Sequence, residues 1–138
     1  GYPLTDIGIN LVGGSYHEEE STEMAFGVAA AMAIRRGAAE AKPKLLEPIM
    51  SLEVITPEEY IGDVISDLNS KRGRVVGVSA ETHLQVLKAE VPLAEMFGYS
   101  TSLRSATQGR ANFTMQFLEY DVVPAQRAET IIKKIRGI

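Results

Sequence analysis

The sequence predicts an α+β fold in two parts: a complete βαββαβ unit with an antiparallel sheet over residues 47–138, and a lone βα unit over residues 1–46. Three observations carry the prediction. Apolar residues alternate with polar ones at Met50, Leu52 and Val54, and again at Phe113, Met115 and Phe117, the period of a strand with one buried face. Between them, Tyr60, Val64 and Leu68, then Tyr99, Leu103 and Ala106, recur at helical spacing. Proline or glycine punctuates the changes of period.

Taken in order, Leu4, Ile7, Ile9 and Leu11 nearly alternate with polar or small residues and predict a half-buried strand, broken by Gly13-Gly14. Ser21 or Thr22 is placed to accept from the free amides of a helix running from about Thr22 to Ala41, and Glu23 suits its positive end. That helix is rich in small residues (Ala25, Gly27, Ala29, Ala30, Ala31, Ala33) and has few polar faces, so burial on more than one side is expected. One strand and one helix cannot cover each other, which predicts an incomplete core. Lys42-Pro43-Lys44 ends the helix, because the residue before proline is pushed out of the helical region. The boundary is placed near Leu46.

The second part is regular. A strand over Met50–Val54 leads into Thr56-Pro57-Glu58-Glu59, which reads as a threonine cap, proline at the first helical position and glutamate at the third. Tyr60, Val64, Ile65 and Leu68 form the stripe of this helix, and Gly73 stops it. Arg74–Val78 is a second strand and Leu84–Val91 a third, with His83 expected on the surface strand beside the turn. The Pro92 segment supplies the second helix, and a fourth strand ends near Val122. Pro124 opens a closing helix whose last turns carry Lys133, Lys134 and Arg136, where cations are favoured. With both helices on one face of the sheet this is a ferredoxin-like sandwich. That architecture identifies no function by itself.

Composition narrows the classes. A hydrophobic content of 45% with 23% charged residues is that of a folded soluble domain. There is no cysteine, which excludes disulfides and thiolate chemistry and suits a reducing cytoplasm. The longest uncharged apolar run, Met24–Ile34, is too short to span a bilayer, and the opening GYPLTDIG lacks a signal-peptide pattern. A net charge of −4 argues against a general nucleic-acid coat, yet leaves room for a shaped contact made by a few arginines.

Enzyme motifs are missing. The chain has no GxxxxGK[ST] loop and no Gly-x-Ser-x-Gly elbow. His17 and His83 fall in different predicted units without ligand spacing, Glu58 and Glu59 are explained by capping, and Asp63 and Asp67 by solvation. No catalytic residue, metal site or cofactor is expected. RNA-recognition modules share the topology, but they stack bases on aromatic residues of central strands, and the third strand here has none.

Pro92–Arg110 is unlike a core helix. Its outward side chains are mostly hydrogen-bond donors suited to phosphate and sugar. Arg104, Ser105 and Gln108, spaced i, i+1 and i+4, project from a helix end beside Gly109. The bland alternative is a solvated helix face. Two function classes stay open: an RNA-docking module, or a ligand-sensing ferredoxin-like domain that pairs through a sheet edge.

Four stretches in order, GSYH at 14–17, LLEPIM at 45–50, TPEEYIGDVISDLNSKRG at 56–73 and VPLAEMFGYSTSLRSATQGRA at 91–111, closely resemble the C-terminal end of bacterial translation elongation factor G. The resemblance implies that residues 47–138 correspond to domain V and residues 1–46 to the last part of domain IV. It implies a ribosome-binding fragment of a GTPase that promotes tRNA–mRNA translocation, with GTP and magnesium held by a domain absent from this sequence. On that mapping Gly14, Ser15, Tyr16, His17, Glu18 and Ser21 form the tip loop that meets tRNA and mRNA at the decoding centre. Arg104, Ser105 and Gln108 would face large-subunit rRNA. The partners implied are the ribosome and its RNAs, in the cytoplasm and with no membrane.

One departure stands out: the tip loop reads GGSYHEEES, and Glu19-Glu20 add charge where phosphate would approach. That fits a paralogous or recycling-type factor G. The tetracycline-protection proteins share the architecture, but the GYST-LRS and TQGR pattern favours factor G proper. An unpaired strand and a bare apolar helix also predict self-association induced by truncation.

Overall fold

The structure is a computed structural model and describes residues 2–137, so the end residues Gly1 and Ile138 of the two expected domains lie outside it. The chain divides into two compact units, Gly1–Pro43 and Lys44–Ile138.

In the first unit, helix α1 (Glu23–Glu40) starts where expected. Thr22 takes the cap, its hydroxyl accepting from the Ala25 amide at 3.1 Å. The expected burial does not occur: no residue of α1 is buried, and Met24 is 80% exposed. The expected strand over Leu4–Leu11 is also absent; those residues are exposed and carry no strand structure. Alternation supplies a face, but a strand exists only when a neighbour accepts its backbone hydrogen bonds. Every strand found among the described residues belongs to the second unit.

In the second unit the elements follow as β1 (Leu46–Pro57), α2 (Ile61–Ser70), β2 (Arg74–Glu81), β3 (Leu84–Pro92), α3 (Tyr99–Thr107), β4 (Asn112–Val122) and α4 (Ala125–Arg136). The sheet order is β2-β3-β1-β4 and each adjacent pair is antiparallel. This is the expected ferredoxin-like sandwich. The two strands richest in buried apolar residues take the centre, since each gains two neighbours there. Leu52 and Val54 of β1 and Leu87, Ala89 and Val91 of β3 line one face, and Val64, Leu68, Tyr99 and Leu103 of α2 and α3 close over them. Ser51, Lys88, Thr114 and Gln116 belong to the opposite, exposed side. No helix among the described residues is long and apolar enough to cross a membrane.

Two local readings are corrected. Thr56 and Pro57 do not start a helix; they complete β1, paired with Gln85 and Leu84. Thr56 is fully buried, its hydroxyl donates to the Pro57 carbonyl at 3.3 Å, and a single 3-10 turn over Glu58–Tyr60 intervenes before α2. The ladder to β3 holds these residues extended against their local preference. His83 lies in the two-residue turn joining β2 to β3, with φ at 64°, and not on a strand.

Beyond α2 the chain turns sharply. Arg72 is left-handed, and Gly73 donates its amide to Leu68 O at 2.8 Å, so close that an added Cβ would sit 2.8 Å from the same oxygen. This turn aims Arg72 back at the start of β1. There it meets Glu47 in a two-pronged pair at 2.8 and 3.1 Å and reaches Glu95 at 3.0 Å; Arg127 of α4 also holds Glu95, at 2.6 Å.

Candidate functional site

The exposed side of α3 is built from its buried side. Gly98 caps the helix at a φ of 78°, and this left-handed link lets Met96 and Tyr99 both turn inward while Phe97 between them stays exposed. Tyr99, Leu103 and Thr107, each four residues on from the last, are buried. Helical spacing then leaves Arg104, Ser105 and Gln108 exposed on the far side, and the structure brings all three together at one helix end. The stripe ends at Thr107 where the spacing had placed Ala106, which is half-buried.

Thr107 tolerates burial because both capacities of its hydroxyl are used. It donates to Leu103 O at 2.7 Å and accepts from the Ala111 amide at 3.3 Å. The helix ends in two successive left-handed residues, Gln108 at 52° and Gly109 at 77°. The Gln108 amide points to Arg104 O, as does that of Gly109 at 2.9 Å. Such a C-cap satisfies the last carbonyls of a helix, and here it fixes the backbone of Gln108 against that of Arg104.

Tyr99 carries the one buried side-chain polar atom found without a partner among the described residues, its hydroxyl. Burial, with a smaller contribution from the Asp67 carboxylate, pushes the phenol well above its usual range. Because the folded-state pKa is raised, ionisation does not oppose folding below the ordinary phenol pKa near 10, and stability is lost as pH climbs from there toward the folded value. Tyr99→Phe is expected to raise stability at neutral pH by about 1 kcal/mol, since an unsatisfied hydroxyl leaves the core. It should also flatten the fall in melting temperature above pH 10. Melting curves from pH 8 to 11.5 check both; a loss of stability in the variant would show that the hydroxyl has a partner.

The loop of the first unit folds on itself. The Ser21 amide donates to His17 O at 2.8 Å, and the His17 amide donates to Ser21 Oγ at 2.7 Å, closing a turn over Glu18–Glu20. Ser21 therefore serves the loop while Thr22 serves the helix. Gly14, Ser15, Tyr16, His17 and Glu18 are exposed, and Ser21 is partly covered. The two groups of candidate residues lie in different units.

Sequence reasoning missed the supports of the α3 end. Arg110 donates from Nη1 to Glu59 Oε1 and stands 5.8 Å from the centre of the Tyr60 ring. Arg110 and Glu59 are separated by 51 positions, so no local pattern shows the contact. Gly109 after the helix is the available signal for the left-handed corner.

Comparison with known proteins agrees with this architecture. Residues 44–131 match the family described as elongation factor G C-terminus, and residues 1–42 match elongation factor G, domain IV. The chain is 75% identical over all its 138 residues to elongation factor G 2 of Desulfotalea psychrophila, of which it spans 20%. A crystal structure from Thermus thermophilus superposes with a TM-score of 0.79 at 44% identity, over 91% of this chain and 19% of that one. With both units matched and identity this high across the full sequence, the chain belongs to the elongation factor G family.

Proposed function

We propose that this chain is a ribosome-binding part of a factor that drives tRNA–mRNA translocation. The observation that carries the reading is the exposed cluster of Arg104, Ser105 and Gln108 on a helix end whose buried side is locked into the core. A guanidinium and two short polar groups held at fixed spacing suit phosphate and ribose oxygens of folded rRNA. The loop Gly14–Ser21 would approach tRNA and mRNA at the decoding site, with His17 and Tyr16 as its projecting groups. On this reading residues 1–46 are a part of domain IV and residues 47–138 are domain V. GTP and magnesium are then bound by other domains of such a factor, this chain supplies no catalytic group, and the setting is the cytoplasm.

A chimera tests the proposal: this chain replaces the matching fifth of the Desulfotalea relative, and ribosome-stimulated GTP turnover and translocation are measured. Activity near that of the unaltered relative supports the role; a stable chimera that neither binds ribosomes nor translocates sinks it. The exposed run Glu18–Glu20 favours a second reading within the same family, a recycling or paralogous factor, because three acids weaken an approach to phosphate. A chimera that splits ribosomes but fails to translocate would select it.

The exposed apolar side chains of the first unit support association between copies of this chain. Leu11, Val12, Met24 and Met32 are all exposed, and hydrophobic surface of that kind drives contact. Sedimentation at rising concentration should show dimers or larger species that vanish when residues 1–43 are removed. A monomer throughout would refute the expectation.

A further inference from the structure

We infer that Glu59 and Tyr60 are positioning residues for the RNA contact, acting through Arg110 to hold the corner that ends α3; the inference rests on the docking role proposed above. Gln108 stands at the centre of this corner with φ at 52°, a region that side chains with a Cβ rarely occupy. Such a conformation persists only where its surroundings over-determine it, and residues of this kind gather at binding sites.

Two sets of contacts supply the constraint. From inside, the Thr107 hydroxyl bridges Leu103 O and the Ala111 amide, spanning the corner from beneath. From outside, the Arg110 side chain is anchored on Glu59 and lies over Tyr60, while its own amide donates to Thr107 O at 3.0 Å. Glu59 and Tyr60 sit on the 3-10 turn that follows β1, so they tie the corner to one of the two central strands of the sheet. Freeing Arg110 leaves the corner held from one side. Gln108 can then leave the left-handed region and lose its orientation relative to Arg104.

Charge makes the test sharp. Glu59 is an exposed acid bound to Arg110, two residues from Gln108. If Glu59 acts only through its charge, removing it deletes a repulsion and releases a cation, and RNA binding tightens. If it positions Arg110, removing it weakens binding. The signs are opposite.

The experiment uses the whole 138-residue chain with Glu59→Ala, Tyr60→Phe, Tyr60→Leu and Arg104→Ala. Each is titrated against purified bacterial ribosomes at fixed salt, with hydrogen exchange at the Gly109 and Arg110 amides and urea unfolding followed in parallel. Glu59→Ala and Tyr60→Leu should weaken binding by about twofold to fivefold, the size of an exposed ion pair or cation–π contact. Both should speed exchange at Gly109 and Arg110. Tyr60→Phe keeps the ring face and should bind as the unaltered chain does. Because Glu59 is exposed, Glu59→Ala carries the test even where Tyr60→Leu fails to fold. Equal or tighter binding by Glu59→Ala overturns the inference, as does a Tyr60→Phe variant as weak as Tyr60→Leu. If Arg104→Ala binds as tightly as the unaltered chain, or the unaltered chain shows no specific binding, the docking role itself falls and takes this inference with it. Weakening by Arg104→Ala with Glu59→Ala unchanged removes the positioning role and leaves docking intact.

Discussion

Replacing Arg104 and Gln108 together by alanine in the chimera is expected to cut ribosome-stimulated turnover at sub-saturating ribosomes by at least about tenfold. A hydrogen bond to a charged group contributes about 1.5–3 kcal/mol, and each 1.4 kcal/mol is a decade in affinity. Loss of two such contacts to phosphate therefore exceeds one decade even if solvent recovers half of the gain. The fold should tolerate the change. Both side chains are exposed, and surface substitutions of this kind usually stay within about 0.5 kcal/mol. The effect should appear as a higher ribosome concentration at half-maximal rate, with the saturated rate less affected. A double variant within twofold of the unaltered chimera would remove these residues from the mechanism.

The largest stability effect should come from Arg72→Ala, a loss of about 3 kcal/mol in urea unfolding. Glu47 is 8% exposed, and its carboxylate takes both of its bonds from the Arg72 guanidinium. Those bonds, partly offset by burial and helped by the hydrogen bond to Glu95, raise the arginine's pKa further, so it stays cationic. Removing one partner of a buried pair strands the other, which costs about 3–5 kcal/mol when burial is complete. Arg72 keeps a side-chain exposure of 26%, which places the expected loss at the low end. Glu47→Gln should cost less than Arg72→Ala, because it leaves no bare buried charge. A loss below about 1 kcal/mol for Arg72→Ala would show that the pair behaves as a surface ion pair.

Periodicity was enough to order β1, α2, β2, β3, α3 and β4, because each carries its apolar stripe within its own residues. It also put Arg104 and Ser105 on the exposed side: once Tyr99 and Leu103 are known to face inward, helix geometry fixes the opposite side, and Gln108 at the cap is exposed as well. The failures share one cause. Thr56-Pro57 has every local mark of a helix start, and Leu4–Leu11 every local mark of a strand, yet pairing with β3 decided the first and the lack of a pairing strand decided the second. Thr107 was missed because a buried threonine is tolerable only where neighbours satisfy its hydroxyl.

The residues by themselves determined the family, the sheet-and-helix order and the polar end of α3, all written in spacings of a few positions. Tertiary structure decided which polar groups hold that end in place. Arg110 meets Glu59 and Arg72 meets Glu47 across 51 and 25 positions. Contacts over such separations leave no periodic trace; they exist because antiparallel pairing and helix packing carry distant segments to one place.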